Sequence, residues 1–185
     1  MTDVATPPTL VIIDIQRDYF PGGAYPLVGA DAAADRAAEL LAAVRCAGGR
    51  IVHVRHESRE EGATMLVPGT PGGEPDPRVA ESGGEPVVHK TFPNAFLETG
   101  LQDLLGDAAA SDLVVVGMMS SMCVDATVRA AVDLGYRVTV GADACAAPDL
   151  EFDGTRVGGA DVHAAFMAAL ASGYARVVPV SALLA

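Results

Sequence analysis

The chain has 185 residues, half of them hydrophobic and 19% charged, which is the make-up of a folded domain whose core needs no disulfide or metal staple. Its 12 basic side chains against 24 acidic ones leave a net charge of −12, which repels phosphate backbones and anionic membranes and excludes nucleic acid and membrane as expected partners. The 3 cysteines, odd in number and without C-x-x-C spacing, suggest neither a disulfide framework nor a zinc ribbon.

Met1 to Pro8 shows no charged segment followed by an apolar one, and no run approaches a membrane span, so a cytoplasmic location is expected. From there the sequence predicts a strand over Thr9–Ile15, a helix over Ala30–Ala47 and a strand over Arg50–His56. A strand over Pro86–Lys90, a short helix over Leu101–Leu105, a strand over Asp112–Met118 and a helix over Val124–Leu134 follow. A strand over Arg137–Gly141, a helix over Ala160–Ala171 and a strand over Arg176–Val180 complete the order. Strands alternating with helices imply a three-layer α/β/α domain on a six-stranded parallel sheet, a Rossmann-like arrangement spanning residues 1–185 as one unit. The strands are continuous Val/Ile runs, as a sheet covered on both faces requires. Two long loops, Glu57 to Glu85 and Ala146 to Gly159, are of a length more often functional than idle.

Three residues stand where ligands bind in such sheets, beyond the carboxyl ends of strands. Asp14 ends Leu10-Val11-Ile12-Ile13, Lys90 ends Val87-Val88-His89, and Cys123 lies between a strand and the helix that follows it. A cysteine in the first turn of a helix has the positive end of the helix dipole and unpaired N–H groups beside it, so its thiol pKa is expected to fall, with Ser120 or Ser121 capping the helix. Lys90 would hold the thiolate and Asp14 would move the proton. A structural ion pair between Asp14 and Lys90 is the plainer alternative. Cys46 and Cys145 read as buried apolar side chains.

The same residues resemble the isochorismatase-like cysteine hydrolases, along nearly the whole chain. Val11 to Phe20 followed by Pro21-Gly22-Gly23 looks like the opening D-x-Q-x-D-[FY]-F segment. Val67 to Thr70, Gly84 to Lys90, Pro93 to Phe96, Gly117 to Arg129 and Ala142 to Ala146 follow in the order of that family. The resemblance implies a triad of Asp14, Lys90 and Cys123, a cis peptide between Met118 and Met119, and an oxyanion hole from the N–H groups of Met119 and Cys123. It implies cofactor-free hydrolysis of a small-molecule amide through a thioester, by a homo-oligomer. The spacing is most similar to the streptothricin-hydrolase-like branch, which opens a lactam in a cationic antibiotic. The acidic loop at Asp149, Glu151 and Asp153 would suit such a substrate, or is ordinary solvated charge. Nicotinamide, ureido and carbamoyl compounds are the alternatives within the family. Outside it, Cys123 could serve as a redox sensor with Cys145 as its resolving thiol.

Ser120-Ser121 departs from the usual Thr followed by His, Asn or Asp, which changes one pocket wall. The Asp-x-His that holds a metal in nicotinamidases is missing. His53 and His56 cannot replace it, because three-residue spacing on a strand sends the two to opposite faces. No metal is therefore expected. Gln16, Tyr19, Phe20, His56, Ser120 and Glu151 are taken as candidate pocket residues, although core packing for Tyr19 and Phe20 and turn-holding for Gln16 and Asp18 are the simpler readings. His163 is expected to pack or cap near the last helix, and His89 to be covered beside the sheet. No G-x-G-x-x-G or G-x-x-x-x-G-K-[ST] is present for a nucleotide.

Overall fold

A computed structural model describes residues 7–108 and 111–185, so most of the stretch read for a leader segment lies outside the described residues. The elements are β1 (Thr9–Ile13), α1 (Ala30–Cys46), β2 (Ile51–His56), β3 (Val87–Lys90), α2 (Leu101–Leu105), β4 (Asp112–Met118), α3 (Asp125–Asp133), β5 (Arg137–Ala146), β6 (Leu150–Phe152), β7 (Thr155–Val157), α4 (Gly159–Gly173) and β8 (Arg176–Val178). Six strands form one parallel sheet in the order β3-β2-β1-β4-β5-β8. The chain builds outward from β1 in one direction and from β4 in the other, so the strand order reverses between these two.

All five residues of β1 are buried, and alternation decides which face each one serves. Leu10 and Ile12 join the core under α1, with Ala33, Ala34, Ala37, Leu40 and Leu41 of that helix. Val11 and Ile13 join the opposite core, with Leu101 and Leu105 of α2, Val128 and Ala131 of α3, and Met167 and Leu170 of α4. At about 1.5–3 kcal/mol for each fully buried aliphatic side chain, this two-sided burial holds the sheet in register. Among the described residues, no helix is long and apolar enough to cross a membrane.

Four local features differ from the sequence reading. β1 stops at Ile13, because Asp14 turns to a positive φ of 49°. β5 runs on past Gly141 to Ala146, where a register irregularity lets Cys145 and Ala146 pair with Gly117 and Met118. The loop after it folds into the β6–β7 hairpin, whose Phe152 is 86% exposed. α3 begins at Asp125, and a π-helical turn, Ser120–Val124, precedes it.

Candidate active site

Two strands at the reversal point carry the central pair. The N–H of Asp14 donates to Val54 O (3.0 Å), tying the end of β1 to β2, while Ile13 pairs with Gly117 of β4. Gly117 has φ 137°, and a Cβ there would lie 2.0 Å from the carbonyl oxygen of Ile13, so only glycine lets the two strands approach so closely. Beyond Gly117 the peptide between Met118 and Met119 is cis. The carbonyl of Met119 then accepts from the N–H groups of Met122 (3.1 Å) and Val124 (3.2 Å), closing the turn that carries Cys123. On the other side, the pairing of His56 with Lys90 brings the end of β3 level with the end of β2.

These elements bring three buried groups together: Asp14 is 0% exposed, Lys90 3% and Cys123 4%. Lys90 Nζ lies 2.6 Å from Asp14 Oδ2 and 3.2 Å from Cys123 Sγ. The contact to Asp14 is an ion pair by distance but misses hydrogen-bond angles, so both carboxylate oxygens are buried without a directed donor. Burial works against the charge of Lys90, yet Asp14 and Cys123 outweigh it and hold the ammonium above its ordinary range. The expected fall in the Cys123 pKa is corrected. Burial pushes the thiol up and the Asp14 carboxylate adds to this, with Lys90 opposing, so the resting group is a thiol. The expected cap is corrected too. Met119 holds the N-cap position without a side-chain bond, Ser120 Oγ instead meets His163 Nδ1 of α4 at 2.8 Å, and Ser121 Oγ is buried without a partner.

The remaining candidates divide into those beside the centre and those away from it. His56 Nδ1 lies 3.1 Å from Lys90 Nζ, which no motif had signalled, although both residues end paired strands. The phenol of Tyr19 is buried and held above its usual range by that burial first, with the charges of Asp14 and Cys123 adding to it. Gln16 is corrected from pocket lining to scaffold. Its amide donates both N–H groups, to His56 O (3.0 Å) and Gly73 O (2.7 Å), and accepts from the N–H of His56 (2.9 Å), which ties the buried side chain to the surrounding backbone. Phe20 is buried under the guanidinium of Arg78, 5.0 Å from its ring centre, and lines a depression with Arg17 and Gly22. Asp18 accepts from the N–H groups of Leu66 (2.6 Å) and Ala24 (3.1 Å), which joins the loop after β1 to the loop after β2.

Glu151 stands on the exposed β6–β7 hairpin near Arg156, and Asp149 is engaged elsewhere, accepting from the N–H of Gly159 (2.7 Å) at the start of α4. His53 faces away from His56 and meets Glu85 at 2.8 Å. His89 is half exposed on Glu57, not covered, because it points outward from an edge strand. Cys46 is exposed, not buried, since it ends α1; Cys145 is buried. Among the described residues, Asp14, His56 and Cys123 bring a carboxylate, an imidazole and a thiol within 4.8 Å of one another, and the cation they surround is the ammonium of Lys90.

The comparisons with known proteins agree with this architecture. Residues 8–181 match the model of the isochorismatase domain. The isochorismatase family protein YddQ of Bacillus subtilis is 43% identical over 175 residues, 95% of this chain and 97% of that protein. A streptothricin hydrolase of Streptomyces noursei is 38% identical over 141 residues, 76% of this chain but 50% of that longer protein. A maleamate amidohydrolase of Pseudomonas putida is 31% identical over 147 residues, 72% of this chain and 69% of that protein. Among solved structures, one from Oleispira antarctica assigned as an isochorismatase hydrolase superimposes with a TM-score of 0.92 at 48% identity, covering 100% of this chain and 98% of that one. With its strand order reversing beside a buried cysteine and residues 8–181 matching the domain model, the chain belongs to the isochorismatase family.

Proposed function

We propose that Cys123, Asp14 and Lys90 hydrolyse a small-molecule amide through a thioester. One observation carries the reading: an ammonium lies between a carboxylate that lacks a directed donor and a thiol, all three buried where the strand order reverses. Because the resting cysteine is a thiol, the reaction begins with transfer of its proton to Asp14 as Sγ attacks the amide carbon. Lys90 offsets the negative charge on sulfur during that step. The N–H groups of Met119 and Cys123 are the proposed donors to the tetrahedral oxyanion. Asp14 then gives its proton to the departing nitrogen, the C–N bond breaks and an amine leaves. Water attacks the thioester with Asp14 as base, releasing a carboxylic acid and restoring the thiol.

The chain is read as one domain over residues 1–185, acting in the cytoplasm as a homo-oligomer on a small molecule. Likeness to a streptothricin hydrolase supports a lactam in a cationic compound as the first substrate to try, and the exposed Glu151 and Asp153 are compatible with positive charge. Redox sensing by Cys123 fits the chain less well, since burial holds the thiol of its resolving partner Cys145 up to about 12. The test is a hydrolysis screen over streptothricin, maleamate, nicotinamide and ureido compounds, with Cys123→Ala beside wild type. Release of amine or ammonia by wild type alone is the expected result. Equal release by both proteins would remove Cys123 from the chemistry.

A further inference from the structure

The described triad leaves one polar partner of Lys90 without a role. His56 Nδ1 lies 3.1 Å from Lys90 Nζ, so the ammonium has three neighbours, with Asp14 at 2.6 Å and Cys123 at 3.2 Å. An ammonium has three N–H groups and no lone pair, so Nδ1 must be the accepting nitrogen and the proton of a neutral imidazole must sit on Nε2. His56 is itself held in place. The side-chain amide of Gln16 grips both its N–H (2.9 Å) and its carbonyl (3.0 Å), and the same amide reaches Gly73. Such a two-point grip on the last residue of a strand fixes where its side chain starts.

We infer that His56 is a positioning residue, which as a neutral acceptor aims the Lys90 ammonium at Cys123 and gives way when it is protonated. The inference rests on the triad reading above. A protonated imidazole would turn a second N–H donor and a second positive charge toward Nζ at 3.1 Å, so Lys90 could no longer occupy the same place. The groups facing His56 pull in both directions. Burial and Lys90 favour the neutral ring, while Asp14, Glu60 and Glu57 favour the charged one, and the balance lies below the ordinary imidazole range. The arrangement is therefore intact at neutral pH and is lost on acidification below that range.

The experiment follows alkylation of Cys123 by iodoacetamide against pH, read by peptide mass spectrometry in the full chain. The exposed Cys46 serves as internal reference. Wild type is expected to show two ionisations, one from the thiol and a lower one from His56. His56→Asn keeps an acceptor near the Nδ1 position but cannot titrate, so it should show the thiol alone while retaining hydrolysis to within about threefold of wild type. His56→Leu removes the acceptor and should lower turnover by about ten- to a hundredfold, the scale of a misplaced reacting group, at unchanged KM. If wild type and His56→Asn give superimposable alkylation profiles, or if His56→Leu turns over like wild type, the inference falls. Should His56→Leu not fold, the Asn profile decides alone. Full hydrolysis by Cys123→Ala would instead remove the triad reading, a distinguishable failure.

Discussion

Two charge networks lie at opposite ends of the same short strand, one partly exposed and one buried, and they are built differently. Before β3, Glu85 accepts from Arg45 Nε and Nη2 (both 2.7 Å), from Ser82 N (2.9 Å) and Ser82 Oγ (3.2 Å), and meets His53 at 2.8 Å. At the end of β3, Lys90 meets Asp14, whose two oxygens have no directed donor at all. Glu85 is saturated by directed hydrogen bonds, whereas Asp14 is balanced by the single Lys90 ion pair and keeps oxygen lone pairs that can take a proton. The difference separates an ion pair that holds the fold from one suited to moving a proton.

Replacing each acid by its amide is the direct way to break that contrast. Asp14→Asn should lower turnover by about 10²- to 10⁴-fold, the range for loss of a positioned acid–base group, as measured by single-turnover release of amine. A loss below tenfold would mean that Asp14 is only a structural counter-ion. Glu85→Gln should leave turnover per folded molecule unchanged and cost about 1.5–3 kcal/mol in urea denaturation, the worth of hydrogen bonds to a charged group. Its pH dependence has a definite sign. The hydrogen bonds from Arg45, first among several causes and opposed by burial, hold Glu85 far below the ordinary value of 4.5. Its contribution is complete above 4.5 and is lost as pH falls toward the depressed folded value, so wild type and Glu85→Gln should converge in stability in acid.

Smaller substitutions sharpen the contrast. Ser120→Ala removes the hydroxyl that meets His163 and should cost about 0.5–1.5 kcal/mol of stability by thermal or urea melting, with a modest fall in turnover, because His163 is only partly buried. Glu151→Gln on the exposed hairpin should change KM for a cationic amide by less than about threefold, and less again in high salt. A larger change would bring the hairpin into the substrate site.

How far the sequence reaches is visible in particular residues. The α/β/α order could be read because each strand is a continuous apolar run and each helix a separate periodic one. That Asp14, Lys90 and Cys123 meet could be anticipated because in a parallel sheet the ends of strands share one edge. Backbone detail was not legible. The π-helical turn at Ser120–Val124 and the positive φ of Asp14 depend on how β4 and β1 are forced together, which no local preference records. Contacts across 43 residues, such as Ser120 with His163, leave no spacing to find. The direction of the Cys123 shift was missed because a helix terminus was weighed without the burial that dominates it. Asp149 read as free charge because nothing in sequence places it over the first N–H of α4.

Gly117 sets a limit on how the protein can vary. Any side chain there meets the main chain of Ile13, which cannot swing aside as a flexible side chain could. In a saturation library across the centre, position 117 should return glycine alone among active clones. Diversification of this scaffold has to proceed through its loops, because the spacing between its two central strands has no slack to give.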